Sequence, residues 1–410
     1  MIAVDVVSGR LAVGAAWSAE SIDVFYHYGF SGDLGGGPYE RRKWLMRPEL
    51  ATLRLRVQEG GGTGIFSDLG SALQAWADQN RPNTVITILD SRTYAETLTI
   101  ELEDDRWLVI EAANGARPHI QPDGGEIQVV NDHPGSELTL SGLLIEGAVH
   151  VTGDLRRLRL LHSTLVPGRS LTEDGDPATA SPSLIVEGLS PTNANLRVQI
   201  AFSITGPIRL AGHADGVWLL DSIVDGLGGT ALCATGSSDE PGPPATLERV
   251  TVLGAVFVKK LPLASETIFS EPIEVRQRQE GCVRFSFVRS DSMTPRHYRC
   301  QPDLEIAVQL DAAEQKAEAN NTTLTPAQRD AIRQAVRQWL VPGFTSSKFG
   351  DPAYGQLHLA CPSQIQTGAE DASEMGAFCH LKQPHRETNL RIRLEEYLPF
   401  GLDPGTIYVT

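Results

Sequence analysis

Four nine-residue stretches of this chain lie over one another without a gap: LLIEGAVHV (143–151), FSITGPIRL (202–210), VTVLGAVFV (250–258) and TIFSEPIEV (267–275). Positions seven and nine are aliphatic in every copy, as Val149/Val151, Ile208/Leu210, Val256/Val258 and Ile273/Val275. The third position is Ile145, Ile204, Val252 and Phe269; the fifth is Gly147, Gly206, Gly254 and Glu271; the sixth is Ala148, Pro207, Ala255 and Pro272. Partial copies stand at HSTLVPG (162–168) and DSIVDG (221–226). The pattern reads as two short strands meeting at a bend, where glycine tolerates the dihedrals and Ala or Pro beside it is small or pre-bent. Strand alternation then puts positions seven and nine on one face. One such unit cannot bury that face, whereas stacked units bury a continuous column and pair their backbones with the next unit. The expectation is a mainly β fold, a right-handed parallel β-helix. A sandwich would call for hairpin turns of the Asn-Gly type between runs, and these are scarce.

The copies are irregularly spaced, so loops must leave some coils. The stretches 170–182 (SLTEDGDPATASP) and 235–245 (TGSSDEPGPPA) are polar and rich in Pro and Gly, as such loops should be. Three regions follow from the pattern along the 410 residues. Residues 1–58 read as a small N-terminal β region, with strands in IAVDVV, 21–28 (SIDVFYHY) and 51–57 (ATLRLRV). Residues 59–292 read as the solenoid with a capping helix at its start. That helix has Ser67 as its cap and Leu69, Ala72, Leu73 and Trp76 at i, i+3, i+4, i+7, a stripe suited to cover an open solenoid end. Residues 293–410 read as an α+β region. One helix starts at Thr325-Pro326 with Ile332, Val336, Trp339 and Leu340 as its stripe, a strand is expected at 356–359, and a second helix covers about 387–398.

Charge narrows the function classes. Lys and Arg number 35 against 51 Asp and Glu, a net −16, which speaks against a nucleic-acid groove or a polybasic membrane surface. No apolar run approaches the ~18 residues of a membrane span. The start MIAVDVVSGRLAVG has no basic segment ahead of an apolar block, so no secretory signal is expected and synthesis in the cytoplasm is. The Gly35-Gly36-Gly37 loop is followed by Pro-Tyr-Glu rather than the Lys-Ser/Thr of a phosphate loop. No nucleophile elbow or dinucleotide fingerprint is present.

Solenoids of this class often carry polysaccharide-cleaving sites, which need two or three carboxylates converging on one outward face. Neither outward repeat position supplies one: position four is Glu146, Thr205, Leu253 and Ser270, and position eight is His150, Arg209, Phe257 and Glu274. The best acid/base candidates are Asp221 and Asp225 flanking one turn, with His213 and Asp215 just upstream. The plainer expectation is that these satisfy local backbone amides at rung corners. Glu173, Asp174 and Asp176 lack the ligand ladder of a calcium loop and read as a solvated acidic loop. Among the five cysteines, His297/Cys300 and His358/Cys361 form two His-x-x-Cys pairs that could give a structural zinc site. The alternative is small buried thiols, and no cofactor is expected.

The segments YHYGFSGDLGGGPYERR (26–42), GGTGIFSDLGSAL (61–73), DSRTYAETLTI (90–100) and the closing 349–410 resemble β-helix-containing proteins encoded with phage tails and phage-tail-like contractile injection systems. The resemblance spans most of the chain and its C-terminal part is the most specific. It implies a structural component of an assembled particle, docking to other tail or injection-particle proteins, and brings no catalytic residues with it. A carbohydrate-binding or polysaccharide-cleaving β-helix of tailspike type, with a surface glycan as partner, is the second expectation. Homotrimers are common among tail spikes, and no feature of the sequence requires a homo-oligomer.

Overall fold

The computed structural model of the chain describes residues 2–5, 10–13, 32–131, 133–188, 191–351 and 353–397. The expected strand at 21–28 lies outside them. Near the start, Ile2–Asp5 pairs antiparallel with Arg10–Val13.

The body is a parallel β-helix of three sides. Side A begins with Leu53–Val57, continues through Thr84–Ile88, Trp107–Ala112, Glu137–Ser141, Arg157–Leu161 and Arg197–Ala201, and ends at Arg296–Tyr298. Side B stacks Thr93–Glu96, His119–Pro122, Leu144–Ile145, Thr164–Leu165, Ile204–Thr205 and, further on, Ile268–Phe269. Side C stacks Thr99–Ile100, Glu126–Asn131, Ala148–Gly153, Leu184–Val186, Ile208–Leu210 and Ile273–Val275. In two turns one long strand, Gly216–Ala234 or Ala245–Val258, bends around all three sides. The solenoid thus reaches from Leu53 to Tyr298, beyond the expected 59–292 at both ends.

The repeat marks the bend between sides B and C. Val149, Leu184, Ile208, Leu232, Val256 and Ile273 stand in one register column. All six are at most 2 % exposed and belong to a single core. The gap-free alignment fails in the first half of the second copy. The inward column on side B is Ile145, Leu165, Thr205, Val224, Val252 and Phe269, so Thr205 rather than Ile204 faces the core. The bend of that copy is one residue shorter, and its outward Ile204 packs against a different apolar cluster.

The corner between sides A and B is built another way. Each turn from the fourth side-A strand on has a left-handed residue there: Gly142, His162, Phe202, Asp221, Arg249, Glu266, Phe285 and Arg299, with φ between 44° and 75°. Inside this corner runs a ladder of buried hydroxyls. The Oγ of Ser163, Ser203, Ser222 and Ser286 accept from the N–H of Leu143, Ser163, Ser203 and Thr267 in the adjoining turn. Ser163, Ser203, Ser222, Thr267 and Ser286 each donate to the carbonyl two residues back, so the hydroxyls of this ladder stay paired inside the apolar tube.

Helix α1 (Leu69–Ala77) follows the first side-A strand, and Leu69, Ala72, Leu73 and Trp76 join Leu55 and Val57 in the main core. Its cap is Asp68, which accepts from Ser71 N; the expected Ser67 instead donates its hydroxyl to Asp68. Glu96 accepts from the next free amides, Leu69 N and Gly70 N. Past the solenoid, α2 (Asp303–Ala319) and α3 (Pro326–Trp339) pack together; α3 has the capping box on Thr325. Val336 and Leu340 of its stripe are buried, while Trp339 is exposed. A short α4 (Ser363–Gln366) precedes α5 (Gln383–Tyr397), whose Leu390, Ile392 and Tyr397 are exposed. The expected strand at 356–359 reduces to a bridge between Phe344 and Leu357.

Candidate functional site

The C-terminal region folds back along the later turns of side B, whose outer face carries Ile204, Ile223, Ile268 and Phe287. Ile268 and Phe287 on its outer face pack with Ile306, Val336, Leu340, Leu357, Cys361, Ile365 and Met375. Ile223, with Ile204 and Leu253 beside it, packs with Tyr354, Ala377 and Phe378. A strand covered on both faces loses its polar alternation, and the later turns of side B, with Ile223 and Ile268 outward, show this.

Two of the four acid/base candidates are anchors for this cover. Asp221 sits at the left-handed A–B corner, 2 % exposed. It accepts from Arg249 Nε (2.6 Å) and Nη2 (3.0 Å), and His380 Nδ1 stands 3.3 Å from its Oδ1. Burial by itself would raise the Asp221 carboxyl, but hydrogen bonds from His380 and Arg249 overcome it and hold the group below the usual carboxylate range. Asp225, at the end of side B, accepts from the Tyr354 hydroxyl (2.7 Å) and from Leu227 N (2.8 Å), and burial raises its carboxyl. His213 and Asp215 lie at the opposite corner, between sides C and A. His213 Nε2 bonds the Thr192 carbonyl and Asp215 pairs with Arg197. The four residues therefore do not converge: one turn of a three-sided coil distributes neighbours in sequence over different faces.

The N-terminal segment from Leu34 to Met46 crosses the same A–B corner. Arg41, 1 % exposed, donates to the carbonyls of Gly37, Ala113 and Ala116. Its guanidinium lies over Gly142, where an added Cβ would stand 2.7 Å from Cζ. Tyr39 donates to Gly35 O, so His162 Nδ1, 3.0 Å from the Tyr39 oxygen, carries the proton in that pair. The His162 ring stacks on Phe202 at 4.8 Å, Trp44 meets both edge-on, and His380 meets Phe202 edge-on. Burial, with Arg41 nearby, pushes His162 down to about 4, so it is neutral at physiological pH. The N- and C-terminal segments thus close over one seam.

Arg41, Tyr39, Arg249, Tyr354 and His380 carry no local sequence signal of these roles. Gly142 alone signalled the corner, because the later turns place ordinary residues in the left-handed region.

The zinc candidates are also separated. His297 bonds Thr294 and Asp303, whereas the Cys300 thiol points into the solenoid core at Val283 O. Cys361 accepts from Gly343 N in the outer cluster, and His358 Nδ1 accepts from Ala360 N. Among the described residues no group of three or more His, Cys, Asp or Glu is arranged to hold a metal ion. In the 170–182 loop the cation is a side chain: Lys348 Nζ donates to Asp174 O (2.9 Å) and pairs with Asp176 (2.8 Å). Burial pushes the Cys379 thiol up to about 12, which denies it a nucleophile's charge.

The outer face of side C carries a half-buried polar network. His150 lies between Glu126 (2.9 Å) and Glu187 (3.0 Å), and Arg169 pairs with Glu126 (2.8 Å). Glu126 and Glu187 belong to other turns or loop ends than His150, so the nine-residue alignment did not bring them together. No protein-family profile matches the chain, and no curated protein does.

Proposed function

We propose that the chain is a non-enzymatic structural component of a phage-tail-like contractile injection particle, in which a stiff solenoid presents docking surfaces to other particle proteins. The observation that supports this reading is the use of Asp221 and Asp225: the carboxylates best suited by sequence to acid/base work hold His380 and Tyr354 of the C-terminal cover. The C-terminal region carrying that cover is also the most specific part of the family resemblance. In a producing strain, the chain should co-sediment with assembled particles, and its deletion should leave them incomplete. Normal particles from the deletion strain, with the chain absent from purified ones, would end this reading.

A tailspike-like role in binding or cleaving polysaccharide is the second reading. It is favoured by the polar outer face of side C, where His150 stands between two carboxylates. Turnover of an acidic polysaccharide that disappears in Glu126→Gln would support cleavage, and absence of turnover across a broad panel would count against it.

A further inference from the structure

The outer face of side A carries a concentration of arginines that the chain's overall acidity conceals. In the turn Arg157–Leu161, Arg157 and Arg159 both point outward, with Arg156 just ahead of them. All three share one carboxylate, Glu137, at 3.1 Å from Arg157 and 3.9 Å from Arg156 and Arg159. In the next turn Arg197 aligns with Arg157, and Gln199 with Arg159. One turn further, Trp218 aligns with Gln199, and Gly216 aligns with Arg197. The indole lies over Gly216, where an added Cβ would be 3.2 Å from the ring, and the Arg197 guanidinium is 5.9 Å from the ring centroid. Arg197 is held by Asp215 at 2.6 Å. Four guanidiniums thus meet two carboxylates on a chain of net charge −16. Burial and the neighbouring Arg157 both disfavour the charged form of Arg159, as crowded cations short of an anion would.

The side chains of this strip are planar: three guanidiniums, an amide and an indole, stepping along the axis at the ~4.8 Å spacing of adjacent strands. Guanidiniums bind carboxylates as bidentate forks, an amide both donates and accepts with hydroxyls, and an indole offers an apolar plate. We propose that Arg157, Arg159, Arg197, Gln199 and Trp218 form a binding strip for a carboxylated polysaccharide lying along side A. The proposal rests on the carbohydrate-binding reading above and moves its site from side C to side A. A nucleic acid shares the negative charge, but the strip spans only three turns on a chain of net charge −16, too little for a phosphate backbone.

The test is calorimetric titration of the full chain with hexagalacturonate, with its fully methyl-esterified form, and with a single-stranded oligodeoxynucleotide. Hexagalacturonate should bind, more weakly as salt is raised, and quench tryptophan emission; the ester and the oligonucleotide should not bind comparably. The double variant Arg159→Gln/Arg197→Gln should lose at least about tenfold in affinity. Arg296→Gln/Arg299→Gln, the same charge change on the last turn, should keep it. Equal binding by the two double variants, or by the ester, would overturn the site while leaving the carbohydrate reading intact. Tighter binding of the oligonucleotide would overturn the ligand class. If no galacturonate binds to the wild-type chain, the strip falls, while the carbohydrate reading falls only with failure across the broad polysaccharide panel; the particle assignment is untouched.

Discussion

Sides B and C share a bend and an inward column of aliphatic residues, yet their outer faces differ. On side B the outward residues include Ile204, Ile223, Ile268 and Phe287, and the C-terminal region lies on them. On side C the corresponding positions include His150, Arg209, Phe257 and Glu274, and among the described residues no comparable apolar cluster covers them. The inward column specifies the coil; the outward one specifies what is added to it. A carboxylate on the covered side becomes an anchor for the C-terminal region, whereas Glu126 and Glu187 on side C pair with His150 and Arg169 within the solenoid's own outer face.

The sharpest break in this comparison should come from Arg249→Ala. It strands the Asp221 carboxylate beneath the seam and should cost about 3–5 kcal/mol in urea titration, as removal of one partner of a buried ion pair does. His150→Ala, in the half-buried network of side C, should cost no more than about 1 kcal/mol. Because the folded Asp221 carboxyl is held below its ordinary range, its contribution is present at neutral pH and should vanish as the solution is acidified through the folded value.

Glu374 should behave in the opposite sense. It is 4 % exposed, its Oε1 has no hydrogen-bond partner among the described residues, and burial raises it from 4.5 to about 8. The folded state therefore holds this proton more tightly than the unfolded chain. Stability should fall as pH rises through that window, by on the order of 3 kcal/mol at neutrality. Glu374→Gln should flatten this slope; an unchanged pH profile would remove Glu374 from the covered interface.

Smaller effects refine the boundary. Gly142→Ala puts a Cβ at φ 75° against the Arg41 guanidinium and should lower stability by about 1–2 kcal/mol. Glu274→Ala, outward on side C and without a salt bridge among the described residues, should stay within about 0.5 kcal/mol. A larger loss there would mean that side C is covered too.

The inward half of this architecture was legible in the sequence. Val149, Ile208, Val256 and Ile273 were aligned as one column, and one column they are. Thr205 escaped because hydrophobicity, not bend length, drove the alignment, and Ile204 is the greasier of the two. The A–B corner was hidden because His162, Phe202, Asp221 and Arg249 adopt left-handed dihedrals that usually announce themselves through glycine or asparagine. Asp221, Asp225, His213 and Asp215 looked like a cluster because they are close in the chain, but three-sided winding makes proximity in sequence a poor guide to proximity in space. The side-chain partners of Asp221 and Asp225, namely Arg249, His380 and Tyr354, are 28 to 159 residues away, beyond any local pattern.

The seating of the C-terminal region on side B can be measured directly through Tyr354 and Asp225, 129 residues apart and joined by a 2.7 Å hydrogen bond. In a double-mutant cycle of Tyr354→Phe and Asp225→Ala, followed by urea denaturation, a coupling energy of about 1–2 kcal/mol is expected. Strictly additive losses would mean that the two side chains do not meet, and that side B is as bare as side C.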